Sequence, residues 1–297
     1  AAFLRNDGNP GLATKSVLFG GIFNVFGDYF FVFILNMGIM GAGLATAMGS
    51  VFSLLMMLTH FRSPKNTIRL EKPEKLFSML KSISITGFST FFIDVAMGIL
   101  TMLFNRQILK YLGTDALSVY GIIINISTFV QCCAYSIGQA TQPMISMNYG
   151  AHKGERINQI LKYALGTAAV FGLIWTIAAV LAPNLFVRIF MTPTEGILAI
   201  APNIIRSYGI SFLLLPFNIF STYYFQALMK PTVSFLVSVA RGAIISGILI
   251  YILPALAGSN AIWFTMPITE LAVAIVVAIK MIQYTRKLSA GVLYRQA

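Results

Sequence analysis

The sequence predicts an all-α, polytopic integral membrane protein, and three observations carry that prediction. Hydrophobic residues fill 57% of the 297 positions and charged residues only 10%, a ratio that no soluble surface sustains. Mean hydropathy is +0.80. Apolar runs of helix-spanning length follow one another between short polar breaks, and the ten-residue alternation of a membrane β-barrel is absent.

Those runs place eight spans, at about residues 15–35, 41–61, 82–104, 116–147, 157–181, 201–228, 232–256 and 261–282. The first reads SVLFGGIFNVFGDYFFVFIL from Ser16 to Leu35, with Asp28 as its only charge. A carboxylate in hydrocarbon costs roughly 2.5–3.5 kcal/mol on insertion scales, so such an acid faces a bundle interior or a watered cavity and handles ions. Asn24 stands one helical turn before it, on the same face. The second span carries GAGLATAMG, whose small residues at four-residue spacing let helices approach closely. The third and eighth hold one acid each, Asp94 and Glu270, with mostly apolar neighbours. These two acids are expected to meet a cationic substrate or help coupling, or else to pair structurally with a partner such as Arg241 or Arg206. Gln139 and Gln142 in the fourth span offer cavity-lining amides or helix-helix hydrogen bonds. Pro143 and Pro216 interrupt the fourth and sixth spans, each as a kink or a break in a cavity wall.

The net charge of +12 is distributed as a membrane protein distributes it, and argues against a nucleic-acid partner. Arg5 and Lys15 precede the first span. Arg62, Lys65, Arg69, Lys72, Lys75 and Lys81 follow the second, and Lys153, Arg156, Lys230, Arg286, Lys287 and Arg295 follow the fourth, sixth and eighth. Alternate loops carry little beyond Arg106, Lys110 and Arg188, so the positive-inside rule puts both ends and the linker after the second span in the cytoplasm. That linker divides the chain into residues 1–61, a polar stretch 62–81 and residues 82–297. Asn9-Pro10 before the first span and Lys230-Pro231 before the seventh echo one another, with Gly21 and Gly242 each eleven residues past the proline. If the last two spans of the six-helix lobe after the linker echo the two spans before it, a matching lobe ahead of the linker lacks four helices, and these are expected ahead of Ala1. The opening AAFLRNDGNP, without an initiator Met or a signal peptide, fits that expectation.

Enzyme signatures are missing: the sequence has no P-loop, HExxH, GxSxG or CxxC. Cys132 and Cys133 are adjacent in an apolar helix, and His60 and His152 lie near loops without companion ligands, so inert thiols and solvated imidazoles are expected.

FLRNDGNP entering a helix, GGIFNVFGDYFFVF, GIMGAGLATAMG and GQATQPMISMNYGAHKGE together resemble the multidrug and toxic compound extrusion (MATE) transporters, across essentially the whole chain. The resemblance implies twelve helices in two six-helix lobes around a central cavity, of which helices five to twelve are present here. It implies a proton or sodium site from an Asp on helix one, an Asn and an Asp on helix five and a Thr on helix six. Asn24, Asp28 and Thr46 match the last three. One branch of the family places further acids on helices seven and ten, but the tenth helix here has none, with Asn218 near that position.

The expected function is cation-coupled antiport, driven by H⁺ or Na⁺ and needing no cofactor. The exported substrates are small organic compounds, cationic or amphipathic, and the protein works as a monomer in the bilayer of a bacterial-type inner membrane. Gln139, Gln142 and Asn218, with Asp94 and Glu270, are the candidate cavity residues. Two alternatives stand beside it. A lipid-linked precursor flippase would show a more cationic cavity, and a membrane-embedded prenyl transferase would need facing, Mg²⁺-binding carboxylates.

Overall fold

The computed structural model describes residues 1–69 and 76–289, with the side chains at 82, 85–94 and 289 outside the description. Helix is the only regular structure among the described residues. The chain forms two compact units, Ala1–Leu76 and Phe77–Ala297, dividing within the polar stretch 62–81.

The first unit is a helical hairpin with an anchored foot. Helix α1 (Ala2–Asn6) turns through Gly8, whose φ of 73° suits a residue without Cβ. Asn9 then caps α2 (Pro10–Asp28), its side-chain oxygen accepting from the Leu12 amide at 3.3 Å. Pro10 at the first helical position sacrifices no hydrogen bond. Past Asp28 the helix widens into a π-helical turn, Tyr29–Ile34. Asn36 and Gly38, both at positive φ, reverse the chain into α3 (Gly38–Leu58), which tightens into a 3₁₀ turn at Thr59–Arg62. Each arm of the hairpin is 25 residues long, about 37 Å at the helical rise and enough for a hydrocarbon core of about 30 Å.

The arms meet through absent side chains. Gly41, Ala45 and Gly49, four residues apart, are the buried face of α3. A Cβ on Gly49 would stand 2.8 Å from the Gly20 carbonyl oxygen, and one on Gly20 would stand 2.8 Å from the Gly49 carbonyl oxygen. Gly27 meets Ala45 and Gly41 meets Phe31, so the partners run in opposite order and the arms are antiparallel.

At the foot, His60 corrects the expectation of a solvated imidazole: its side chain is 1% exposed. The reason is a hydrogen-bond chain that the sequence spacing hides. Asp7 accepts from the His60 Nε2 at 2.6 Å, from the Thr67 amide at 3.0 Å and from the Thr67 hydroxyl. Asn9 faces the other ring nitrogen, its Nδ2 lying 3.1 Å from His60 Nδ1. Because the Asn9 oxygen already caps α2, its amide nitrogen must donate to Nδ1. The proton of the neutral ring therefore sits on Nε2, aimed at Asp7. Hydrogen bonds from Thr67 and then from His60 hold the Asp7 carboxyl down, to a pKa of about 2.

The second unit begins with α4 (Leu76–Tyr111), which contains the whole expected span 82–104. Seven described helical stretches are long and apolar enough to cross a membrane, and α4 supplies the remaining expected span. Helix α5 (Gly113–Gly150) follows, 38 residues unbroken at Pro143. Then come α6 (Gly154–Leu181), the short amphipathic α7 (Pro183–Phe190) and α8 (Glu195–Gly209). The sixth span starts earlier than the apolar run suggests because Thr194 caps it, accepting from the Ile197 amide. A 3₁₀ turn at Ile210–Leu213 separates α8 from α9 (Leu215–Ala227), so Pro216 opens a helix instead of kinking one. The last spans are α10 (Pro231–Val239), a π-helical turn at Ala240–Ile244, α11 (Ile245–Ala257), a 3₁₀ turn at Ser259–Phe264 and α12 (Thr265–Ser289).

Two apolar clusters hold this unit. In one, Phe104 stacks on Tyr120 at 5.1 Å between ring centres, with Tyr208 and Trp263 against Tyr120. In the other, Phe220, Tyr224, Phe225 and Tyr284 join α9 to α12. Gly138 lets α5 approach α9 so closely that a Cβ there would fall 2.3 Å from the Tyr223 ring.

Two expected outcomes test this packing. Gly49→Val forces the hairpin arms apart and lowers stability by about 1–3 kcal/mol, read as a drop in the thermal midpoint of detergent-solubilised protein. The Asp7 anchor strengthens the fold fully above the ordinary carboxylate pKa of 3.8 and loses that contribution as pH falls through about 2. In an acid titration followed by circular dichroism, Asp7→Asn should flatten the dependence in that window while leaving neutral pH behaviour weakened but level.

Candidate functional site

The hairpin brings Asn24 and Thr46 into contact from two helices. Asn24 and Asp28 share a face of α2, and the α2–α3 close approach at Gly20 and Gly49 sets Thr46 opposite Asn24. Asn24 donates through Nδ2 to the Thr46 hydroxyl at 3.2 Å, and that hydroxyl donates back to the Ala42 carbonyl at 3.0 Å. This fixes both groups with their oxygen lone pairs available. Asp28 Oδ1 is buried and has no hydrogen-bond partner. An orphaned buried carboxylate oxygen is costly, and a bound cation or proton is the ordinary remedy. The π-helical turn begins at the next residue, a local widening that often accompanies function. A cavity of about 410 Å³ beside them is lined by Asn24, Thr46, Ser50 and Ser53 over a glycine floor of Gly20, Gly21 and Gly49; Asp28 is not part of its wall. Carboxylate, amide and hydroxyl oxygens form a hard donor set suited to Na⁺.

The second unit holds a different polar centre. Glu270 on α12 has zero exposure, and both of its carboxylate oxygens are occupied. Arg241 donates from Nε to Oε1 at 2.7 Å, and Asn218, itself fully buried, donates from Nδ2 to Oε2 at 2.6 Å and to the Glu270 carbonyl at 2.9 Å. The π-helical turn at Ala240–Ile244 presents Arg241, and the 3₁₀ break before α9 places Asn218. Arg241 Nη2 and Asn218 Oδ1 remain buried without partners.

Arg241 and Asn218 line a cavity of about 410 Å³ together with Tyr135, Gln139, Tyr223 and Gln226. Glu270 stands behind that wall. Gln142 is turned to a helix-helix chain, donating to Gln226 at 3.4 Å while Gln226 donates to Ser234 at 3.2 Å. Asp94 lies on α4, and its side chain is outside the described residues.

Arg241, offered by the sequence as a structural partner for these acids, is the one that Glu270 takes. The signal was present, since Arg241 is the one charged residue between Pro231 and Ala257. Its pairing with Glu270 makes a direct test possible. Arg241→Gln or Glu270→Gln alone leaves an uncompensated buried charge and should cost about 3–5 kcal/mol, whereas the double substitution R241Q/E270Q should recover most of it. Thermal unfolding of the three variants checks this; equal losses in single and double variants would refute the pairing.

Comparison with known proteins places the chain. The MatE family profile matches residues 88–252. The multidrug export protein MepA of Staphylococcus aureus (strain MSSA476) is 26% identical over 272 residues, covering 90% of this chain and 59% of MepA. MepA of Staphylococcus haemolyticus (strain JCSC1435) is 24% identical over the same extent. The chain thus spans about 59% of the length of these relatives. Among solved structures, an outward-facing multidrug resistance MATE family transporter superposes with a TM-score of 0.84 at 20% identity, covering 93% of this chain and 62% of that one. A MATE structure in the straight conformation gives 0.87 at 19% identity, covering 97% and 65%. With a profile match over more than half its residues and this shared fold, the chain belongs to the MATE family.

Proposed function

We propose that the protein acts as a cation-coupled antiporter that exports organic, cationic or amphipathic compounds, by alternating access, across a bacterial inner membrane. One observation carries the coupling part: the buried, partnerless Oδ1 of Asp28 beside the Asn24–Thr46 pair. Na⁺ takes the carboxylate, amide and hydroxyl oxygens as ligands; a proton neutralises the carboxylate directly. Either occupant relieves the orphaned oxygen, and the empty site favours a different packing of the hairpin around the π-helical turn. The ion gradient then biases the two states, and substrate leaves as the ion enters. Family membership and the likeness to MepA support the export reading. The protein works as a monomer, with the bilayer as its solvent.

The flippase alternative asks for a cationic cavity. The guanidinium of Arg241 is the charge that would serve it, and Glu270 already offsets that charge.

The test is efflux of a fluorescent organic cation from energised vesicles, comparing native protein with Asp28→Asn under separate proton and sodium gradients. Gradient-driven efflux should fall roughly tenfold or more in the variant, with insertion and folding intact, and the gradient that drives native efflux names the ion. Unchanged efflux by Asp28→Asn sinks the coupling assignment.

A further inference from the structure

A third cavity, of about 450 Å³, lies between α6 and α12. Helix α6 begins, and α12 ends, on the side that the charge distribution assigns to the cytoplasm. Residues early in α6 and late in α12 therefore stand nearest the membrane surface, and the cavity wall changes character along that direction. Asn158, Thr285 and Arg286 form its surface end, and Leu165, Met281 and Ile282 its deeper end. Buried Leu161 and Met281 make the floor, while Ile282 is 54% exposed, so the deeper end opens sideways to hydrocarbon. Lys162, on the wall between the two ends, stands eight residues past the start of α6, about 12 Å at the helical rise. Its apolar stem is long enough to carry the ammonium back toward the headgroups. The surroundings are strongly basic: Lys153, Arg156 and Lys162 on one side and Lys280, Arg286 and Lys287 on the other, against the single acid Glu155, which is not on the wall. Among the described residues the ion pairs are His60 with Asp7 and Arg241 with Glu270, so neither Lys162 nor Arg286 is neutralised by a carboxylate.

We propose that the groove between α6 and α12 binds an anionic phospholipid of the cytoplasmic leaflet. The lipid's phosphate diester accepts from Lys162 Nζ and from the Arg286 guanidinium, whose planar fork suits two phosphate oxygens. Asn158 and Thr285 are the polar neighbours of its headgroup, and one acyl chain runs along Leu165 and Ile282 over the floor of Leu161 and Met281. Basic pockets between membrane helices on the cytoplasmic side favour such headgroups. Two features of the groove select the occupant. Its two cations favour a headgroup with net negative charge over phosphocholine, which would bring its own ammonium against them. Its apolar, laterally open end favours an amphiphile over a free phosphate ion, which would leave half of the groove empty. This inference goes beyond the export reading, since lipid binding here needs neither coupling at Asp28 nor an ion gradient.

The experiment titrates the purified, delipidated protein in detergent with dioleoyl phosphatidylglycerol or dioleoyl phosphatidylcholine and counts bound lipids by native mass spectrometry. The first phosphatidylglycerol should bind roughly tenfold more tightly than the first phosphatidylcholine. K162Q/R286Q should bring that ratio near one, and the swap K162R/R286K, which keeps both charges, should preserve it. K280Q/K287Q removes the same charge from α12 outside the groove wall and should leave the preference in place. Ile282→Trp fills the apolar end at a lipid-exposed position and should weaken phosphatidylglycerol binding severalfold; should K162Q/R286Q not fold, this variant decides alone. Inorganic phosphate at tenfold excess should leave the lipid bound. A native ratio of one overturns the inference, and so does a preference lost equally in K280Q/K287Q, which would mean diffuse attraction to a basic surface. Binding untouched by Ile282→Trp places the lipid elsewhere and overturns it too, and displacement by phosphate does the same by showing that the ion alone fills the site.

Discussion

Hydrocarbon offers no hydrogen-bond partner, and the architecture of this protein follows from that constraint. Backbone polar groups are satisfied within helices, and the breaks from α-helix at Tyr29–Ile34, Ile210–Leu213 and Ala240–Ile244 adjoin polar side chains placed for a purpose. The same constraint gives each unpaired buried polar atom its weight. In water the free oxygen of Asp28 would mean nothing; buried, it carries a desolvation cost. The two units answer the problem oppositely. The hairpin leaves a buried oxygen of its acid without a partner, while the second unit closes Glu270 with Arg241 and Asn218 and leaves the unsatisfied atoms on the partners instead.

Close helix approach is what makes either arrangement possible. Gly20 and Gly49 bring backbone to backbone so that Asn24 reaches Thr46, and Gly138 admits the Tyr223 ring beside the second cavity. Small residues here do the positioning that large ones do in soluble cores. The apolar clusters around Tyr120 and Tyr224 then fix the helices that carry Asn218 and Glu270.

Much of this was legible in the sequence, for reasons that differ by residue. Spans were legible because twenty apolar residues have no other stable fate, and Asn24 with Asp28 because a four-residue spacing fixes a shared helix face. The small-residue stripe of α3 was legible for the same reason. Contacts between distant segments were not. Nothing in the spacing of Asp7, His60 and Thr67 announces that they converge, and although Arg241 stands in the sequence as a possible partner of Glu270, nothing there chooses it over a substrate or adds Asn218, because those residues lie 29 and 52 positions away. Helix α7 escaped because eight residues with one apolar edge carry too little hydrophobicity to stand out between spans. The start of α8 was placed late because the Thr194 cap is a polar signal lying outside the apolar run.

The foot of the hairpin narrows what evolution can place at residue 9. Helix capping alone would accept Asp, Ser or Thr there almost as readily as Asn. Asn9, however, caps α2 with its oxygen and presents its nitrogen to the imidazole of His60. Aspartate would keep the cap but set an acceptor against an acceptor, obliging the ring to take up a second proton; serine and threonine are too short to serve both neighbours. Among the usual caps only asparagine is two-faced, so the Asn-Pro pair that opens the hairpin is held in place by the tautomer of a histidine fifty-one residues away.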